Sequence, residues 1–245
     1  MTLNGWQKKY QEILKEFDYD RIKEIRSANI LNSLLKTRLG LNKLEKKIKN
    51  KTVFVIGAGP SLESSLPYIK KFKDFTKIVA DGVTQALIEN KITPDIVVTD
   101  LDGNIEYLKK SSGLKSIMIV HAHGDNINRL PYAISFKYSI GTTEDKPFGK
   151  IRNFGGFTDG DRCVFLADHF GASKIILIGM DFGTRIGKYS KVGKYNKSLK
   201  RKKLEKGKSL LEWLATKSNS DLYTTSQSII GFKNIKLEDL QRLVR

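Results

Sequence analysis

The apolar positions change rhythm once along the chain, near Thr52. Before it, Leu3, Trp6, Tyr10, Ile13, Leu14 and Phe17 recur at three- and four-residue intervals, which predicts an amphipathic helix over residues 3–17. Ile22, Ile25, Leu31, Leu34, Leu35 and Leu39 predict a second helix stopped at Gly40, and residues 41–49 predict a short third. Together they read as a structural helical cap, residues 1–50, with Trp6 and Phe17 as core anchors rather than ligand contacts.

After Thr52, short β-branched runs alternate with helical stretches. Residues 53–56, 77–80, 96–99, 116–120, 136–140 and 174–178 read as strands buried on both faces. Helices are expected from Leu62 to about Phe72, then over 84–90, 105–110, 127–134 and 159–170, with a long basic helix at 197–217 carrying Leu204, Leu211 and Leu214 on one face. Leu222 and residues 229–231 close a short final unit, and 185–200 is the one stretch expected to be mobile. The alternation predicts an α/β fold, a doubly wound, mostly parallel Rossmann-like sheet over residues 51–245.

Chemistry concentrates where the predicted strands end. Asp81 follows one strand and Asp100 and Asp102 follow the next, so all three are expected at the carboxyl edge, where open α/β sheets bind ligands. Three carboxylates in one crevice repel one another unless a cation lies among them. A hard ion such as Mg²⁺ takes oxygen ligands of this kind and shares them with substrate phosphates. Gly103 is expected to make the bend that aims Asp100 and Asp102 at one ion.

Gly57-Ala58-Gly59-Pro60-Ser61 joins the first strand to a helix, where backbone N–H groups and the helix dipole receive phosphate. Leu62 stands where the dinucleotide fingerprint has its third glycine, and Asp81 comes late for a ribose-binding acid. A nucleotide phosphate or ribose therefore suits the turn better than NAD. His121-Ala122-His123-Gly124-Asp125-Asn126 follows a further strand, and hydrogen-bonding or charge roles suit it better than zinc, whose soft ligands are lacking. In the glycine-rich turn 153–162, Thr158 or Asp159 can cap a helix, Phe154 or Phe157 can stack on a flat ring, and Arg162 can grip phosphate. Asp181, at the end of the last of these strands, can take the polar edge of a ring or cap a turn; both readings stand.

With 245 residues, 40% of them apolar, the chain can build one good-sized domain plus an appendage. No apolar run reaches the length of a membrane span, and Met1–Gln11 lacks a signal-peptide cleavage pattern, so no membrane partner is expected. The single cysteine, Cys163, excludes an internal disulfide and suits a cytoplasmic protein. The net charge of +18 raises nucleic-acid binding as a reading, and eleven Lys/Arg against one acid, Glu205, fall between Thr184 and Lys208. Without a recognisable binding module that charge is better placed on the phosphates of a nucleotide, and nucleic acid is not an expected partner.

The segments GAGPSL (57–62), ADG (80–82), PDIVVTDLDG (94–103), HAHGDN (121–126), GGFTDGDR (155–162) and GMDF (179–182), in this order, resemble the archaeal-type 6-hydroxymethyl-7,8-dihydropterin pyrophosphokinase family. The Asp-rich segment is also similar to that of thiamine pyrophosphokinases. The resemblance implies Mg²⁺-dependent transfer of pyrophosphate from ATP to a reduced pterin, releasing AMP, in the biosynthesis of a folate- or tetrahydromethanopterin-type cofactor. It implies that Asp81, Asp100 and Asp102 hold the metal, with Gly57, Gly59, Pro60, Ser61 and Lys202 on the nucleotide. His121, His123 and Arg162 would act on the transferred group. Asp125, Asn126, Gly156, Phe157, Thr158, Asp159 and Asp181 would receive the pterin. The alternatives are a pyrophosphokinase for thiamine or another small alcohol, a sugar-nucleotide transferase, or a non-catalytic basic module. A homo-oligomer stays open.

Overall fold

The computed structural model describes residues 3–36, 40–183, 185–190 and 196–243. Nine strands form a sheet in which every pairing of neighbours is parallel, in the order β6-β5-β4-β3-β2-β1-β7-β8-β9. They are β1 (Thr52–Ile56), β2 (Thr76–Ala80), β3 (Ile96–Thr99), β4 (Ile117–His121), β5 (Ser139–Thr142), β6 (Ile151–Arg152), β7 (Lys174–Ile178), β8 (Asp221–Thr224) and β9 (Lys233–Asn234). The chain works outward from β1 to β6 and then returns to β1's other side with β7. The topological switch therefore lies between β1 and β7, and a crevice opens at their carboxyl ends.

Helices α4 (Leu62–Lys71), α5 (Val83–Glu89) and α6 (Ile105–Gly113) connect β1 through β4. Right-handed crossovers put these three on one face of the sheet. The long return from β6 to β7 runs through α7 (Asp159–His169), which packs over β3, β2 and β1. Helix α8 (Lys197–Ala215) packs on α7 in turn, and a short α9 (Leu240–Leu243) closes the described chain. Among the described residues no helix is long and apolar enough to cross a membrane.

The N-terminal helices α1 (Trp6–Phe17), α2 (Arg21–Leu34) and α3 (Asn42–Ile48) share one apolar cluster with the sheet. Trp6 is fully buried, stacks edge-on against Phe165 of α7 at 5.6 Å, and donates Nε1–H to the Glu144 carbonyl at 2.9 Å. Helix α2 departs from the expected apolar stripe. Its buried face is Glu24, Ser27, Ala28 and Leu31, whereas Ile22 is 77% exposed. The helix follows its tertiary partners, because Glu24 accepts the Gly124 N–H at 2.9 Å and so ties α2 to the loop after β4. It ends at Leu34, short of Gly40, with Leu35 already extended; Leu39 lies outside the described residues.

Three further differences come from local geometry. The helix expected at 127–134 is a run of 3-10 turns over Gly124–Ser135, where Pro131 removes an amide donor. The strand expected at 136–140 pairs instead over Ser139–Thr142, starting three residues later and ending two later, and β6 has no counterpart in the expected strands. Of the 185–200 stretch, residues 191–195 lie outside the described residues, and 197–200 already belong to α8.

Truncating Trp6 should expose how firmly α1 belongs to the core. Trp6→Ala is expected to lower unfolding free energy by about 3–5 kcal/mol, whereas Ile22→Ala should change it by less than about 0.5 kcal/mol. Urea denaturation of both variants checks the pair.

Candidate active site

The strand ends deliver their polar residues to one edge in the order of the sheet. Glu144 lies just past β5, His123 past β4, Asp100 and Asp102 past β3, Asp81 past β2, Gly57–Gly59 past β1 and Asp181 past β7. All of these line one solvent-open cleft. Its other walls come from Tyr19, the start of α7, residues 185–190 and the first turns of α8.

At its centre Asp81, Asp100 and Asp102 each present a carboxylate oxygen, all within 4.8 Å of one another. Asp81 is buried, and its Oδ2 accepts from Thr99 Oγ1 (2.5 Å) and the Gly103 N–H (3.1 Å), while Oδ1 has no hydrogen-bond partner. An orphaned buried oxygen on one acid of such a trio fits the donor set of a hard divalent cation. Burial, and then the charge of Asp100, push Asp81 up to about 7. Burial also opposes the charge on Asp100, but His123, with Nε2 at 3.4 Å from Oδ2, and Arg162 outweigh it and hold Asp100 below the ordinary carboxylate range. The same partnership raises His123 against its own burial.

The bend that joins Asp100 to Asp102 is not made at Gly103. Leu101 carries it, at φ 68° with its side chain fully buried and its N–H donated to Thr99 Oγ1 at 2.8 Å. A left-handed residue bearing a side chain costs about 1–2 kcal/mol, here offset by burial and that bond. Gly103 serves a different need, since a Cβ there would fall 1.8 Å from Asp81 Oδ1.

The glycine turn after β1 is shaped by packing between strand tips. Gly59 N–H donates to the Gly179 carbonyl at 2.8 Å, and a Cβ on Gly59 would sit 2.3 Å from Asp181 Oδ2. Asp181 Oδ2 accepts from Ser61 N–H (2.9 Å) and Ser61 Oγ–H (2.7 Å), so it occupies the amino end of α4 where a phosphate was expected. Gly57 and Gly59 line the cleft, whereas Pro60 is exposed and Ser61 faces Asp181.

The two histidines separate. His123 lines the cleft, but His121 is buried behind it, with Nδ1 3.2 Å from Thr142 Oγ1 and Nε2 without a hydrogen-bond partner. Burial and the positive charges nearby hold His121 well below its usual range, in the neutral form. Among the described residues the pair joins no metal-holding group. Asn126 braces the loops by donating Nδ2–H to the Asp100 (2.7 Å) and His121 (2.8 Å) carbonyls, while Asp125 is exposed and off the cleft.

At the start of α7, Phe157, Thr158, Asp159 and Arg162 reach the cleft. Gly156 does not; at φ 89° it lies against the Arg162 backbone, where a Cβ would come within 2.6 Å of Cα. Phe154 packs on His169 and Phe170 instead. Arg162 links two acids, donating Nη2–H to Glu144 Oε1 at 2.5 Å, with Nη1 3.4 Å from Asp159 Oδ1. Burial pushes Glu144 up to about 7 despite this partner, and burial with the charge of Asp100 raises Asp159 well above its usual range.

Lys202 is turned away, with Nζ 2.7 Å from the Glu16 carbonyl and lying over the Phe17 ring. Lys200, Lys203 and Leu204, spaced i, i+3 and i+4, share the face that meets the cleft. Sequence reasoning therefore missed Lys200, Lys203, Glu144 and Tyr19. Helical spacing from Leu204 marks the first two, and reading two residues beyond the observed end of β5 marks Glu144. Tyr19, in a helix connection, carries no such signal.

Lys203→Ala is expected to reduce turnover about tenfold or more, and Lys202→Ala by less than about twofold, in steady-state assays. Glu144 has a second consequence. Its folded value lies above its unfolded one, so its contribution is fully present below about pH 4 and is lost as pH rises through about 7. The loss is on the order of 3 kcal/mol. Urea midpoints should fall between pH 5 and pH 8 in the wild type, and fall distinctly less in Glu144→Gln.

A family model described as 6-hydroxymethylpterin diphosphokinase MptE-like matches residues 28–187. A curated protein of Pyrococcus furiosus named 6-hydroxymethyl-7,8-dihydropterin pyrophosphokinase is 44% identical over 223 residues, 87% of this chain and 94% of that one. Proteins of the same name from Methanocaldococcus jannaschii and Methanothermobacter thermautotrophicus are each 40% identical, over 89% and 87% of this chain and 97% and 95% of theirs. Among solved structures, the MAf glycosyltransferase from Magnetospirillum magneticum AMB-1 aligns with a TM-score of 0.56 at 13% identity, over 86% of this chain and 39% of that one, a likeness of fold alone. By its sequence matches, the chain belongs to the MptE-like 6-hydroxymethylpterin diphosphokinase family.

Proposed function

We propose that this protein transfers the β,γ-pyrophosphate of ATP to the hydroxymethyl group of 6-hydroxymethyl-7,8-dihydropterin and releases AMP. The observation that carries the reading is the linear order of the strand tips. The glycine turn and residues 185–190 stand at one end, the acid trio in the middle, and His123, Glu144 and Asp159 at the other. A nucleotide entering at the switch point lays its phosphates across the trio, and a second, NH-rich ring fits the acidic end.

Asp81, Asp100 and Asp102 would hold Mg²⁺, which when bound neutralises the β- and γ-phosphate oxygens. The chain's own residues position and neutralise. Lys200 and Lys203 face the same space and grip phosphate oxygens, while Arg162 keeps Asp159 and Glu144 in place. Asp159 accepts from the amino-pyrimidine edge of the pterin, with Phe157 against its ring. His123, fixed on Asp100, keeps that acid ionised and aimed inward. The acceptor hydroxyl oxygen attacks the β-phosphorus and gives up its proton to water in the solvent-open cleft, the bond from that phosphorus to the α,β-bridging oxygen breaks, and AMP departs. Positioning and charge neutralisation supply most of the rate, as in other phosphoryl transfers.

Incubation with ATP, Mg²⁺ and 6-hydroxymethyl-7,8-dihydropterin should yield AMP and the pterin diphosphate in equal amounts by chromatography; ADP in place of AMP would refute the reaction. Asp100→Asn and Asp102→Asn should each lower turnover by about 100-fold or more while remaining folded.

A further inference from the structure

We infer that Tyr19, in the connection between α1 and α2, is a wall of the acceptor-ring site, so that the N-terminal helices take part in substrate selection. The inference rests on the acceptor reading above and adds to it a residue from outside the sheet's loops.

Tyr19 lines the cleft beside Phe157, Glu144 and His123. Its backbone is pinned on both sides. Asp18 turns the chain at φ 52°, the Tyr19 N–H donates to the Leu14 carbonyl at 3.0 Å, and Asp20 caps α2 through the Ile22 N–H at 2.8 Å. Helix α2 is in turn anchored to the cleft's own loops. Arg21 Nε–H reaches Asp145 Oδ2 at 2.9 Å, and Glu24 takes the Gly124 N–H. The ring therefore stands at the cleft before any ligand arrives.

Its surroundings select the kind of ligand. The Tyr19 and Phe157 rings lie 6.3 Å apart and share Phe17 as backing, at 5.9 Å and 4.7 Å. Flat aromatic surface meets carboxylates at this end, where Glu144 and Asp159 lie beside it. Lys203 Nζ lies over both rings, 5.5 Å from that of Tyr19 and 5.9 Å from that of Phe157, and a neutral heteroaromatic ring rich in N–H donors gains both stacking and hydrogen bonds there. Burial and the charges of Glu144, Asp125 and Glu24 push the Tyr19 phenol up, so its hydroxyl stays protonated at neutral pH.

The test uses the full chain and reads the two substrates apart. Tyr19→Ala and Tyr19→Leu should raise the KM for 6-hydroxymethyl-7,8-dihydropterin about 10–100-fold, leaving the KM for ATP within about twofold. Tyr19→Phe should stay within about threefold of wild type for both. Binding of 6-hydroxymethylpterin alone, followed by its own fluorescence, should weaken in parallel in the Ala and Leu variants. An unchanged pterin KM, or equal rises in both KM values in Tyr19→Leu, would overturn the inference. A wild type that binds the pterin but releases no AMP would refute the reaction, and the binding series would still decide on Tyr19.

Discussion

Mutual repulsion among three carboxylates is the constraint around which this molecule is arranged. At 4.8 Å, two unit charges in an effective dielectric near 20 repel by roughly 3 kcal/mol, more than one ordinary hydrogen bond returns. The fold treats each acid differently. Asp81 is buried under Thr99 and Gly103 and raised to about 7, while Asp100 is kept ionised by His123. One buried oxygen, Asp81 Oδ1, is left without a hydrogen-bond partner. A divalent cation among these acids would relieve that repulsion, which is the physical ground of the proposed chemistry.

Charged groups of both signs extend along the cleft as well as meeting at its centre. Lys200 and Lys203 of α8 and Arg185 bring positive charge to it, with Lys203 Nζ over the Tyr19 and Phe157 rings, and Glu144 past β5 and Asp159 at the start of α7 line it as well. Arg162 bridges those two acids. Under the proposed function an anionic donor and a neutral ring would share this one crevice. Helix α7 makes this possible by crossing over β3, β2 and β1, which carries its first turn from the far edge of the sheet to the cleft.

Most of the sheet could be read from the residues alone. The run Ile-Val-Val-Thr at 96–99 is a strand with the expected bounds, and so is 174–178, because both are short, β-branched and bounded by Pro or Gly. Where the pattern weakened, the reading slipped. Placing a strand at 136–140 instead of Ser139–Thr142 put its end short of Glu144, which hid that acid among turn residues. Lys202, implied by the resemblance, turns away while Lys203 lines the cleft, because a run of basic residues cannot say which side of a helix faces a neighbour. Likewise Asp181 offered two roles, and its position against Ser61 is a contact across 120 residues.

By itself, the order of apolar runs and polar strand ends determined an α/β sheet with acids, glycines and histidines along one edge, since period and burial are local properties of the chain. Only the tertiary structure decided which of those groups meet. It turned Leu101 into the left-handed bend, sent His121 behind the wall, placed Asp181 on α4 and brought Tyr19 to the cleft. Each of these depends on distances between residues far apart in sequence, set by how helices close over the sheet, and no local pattern encodes them.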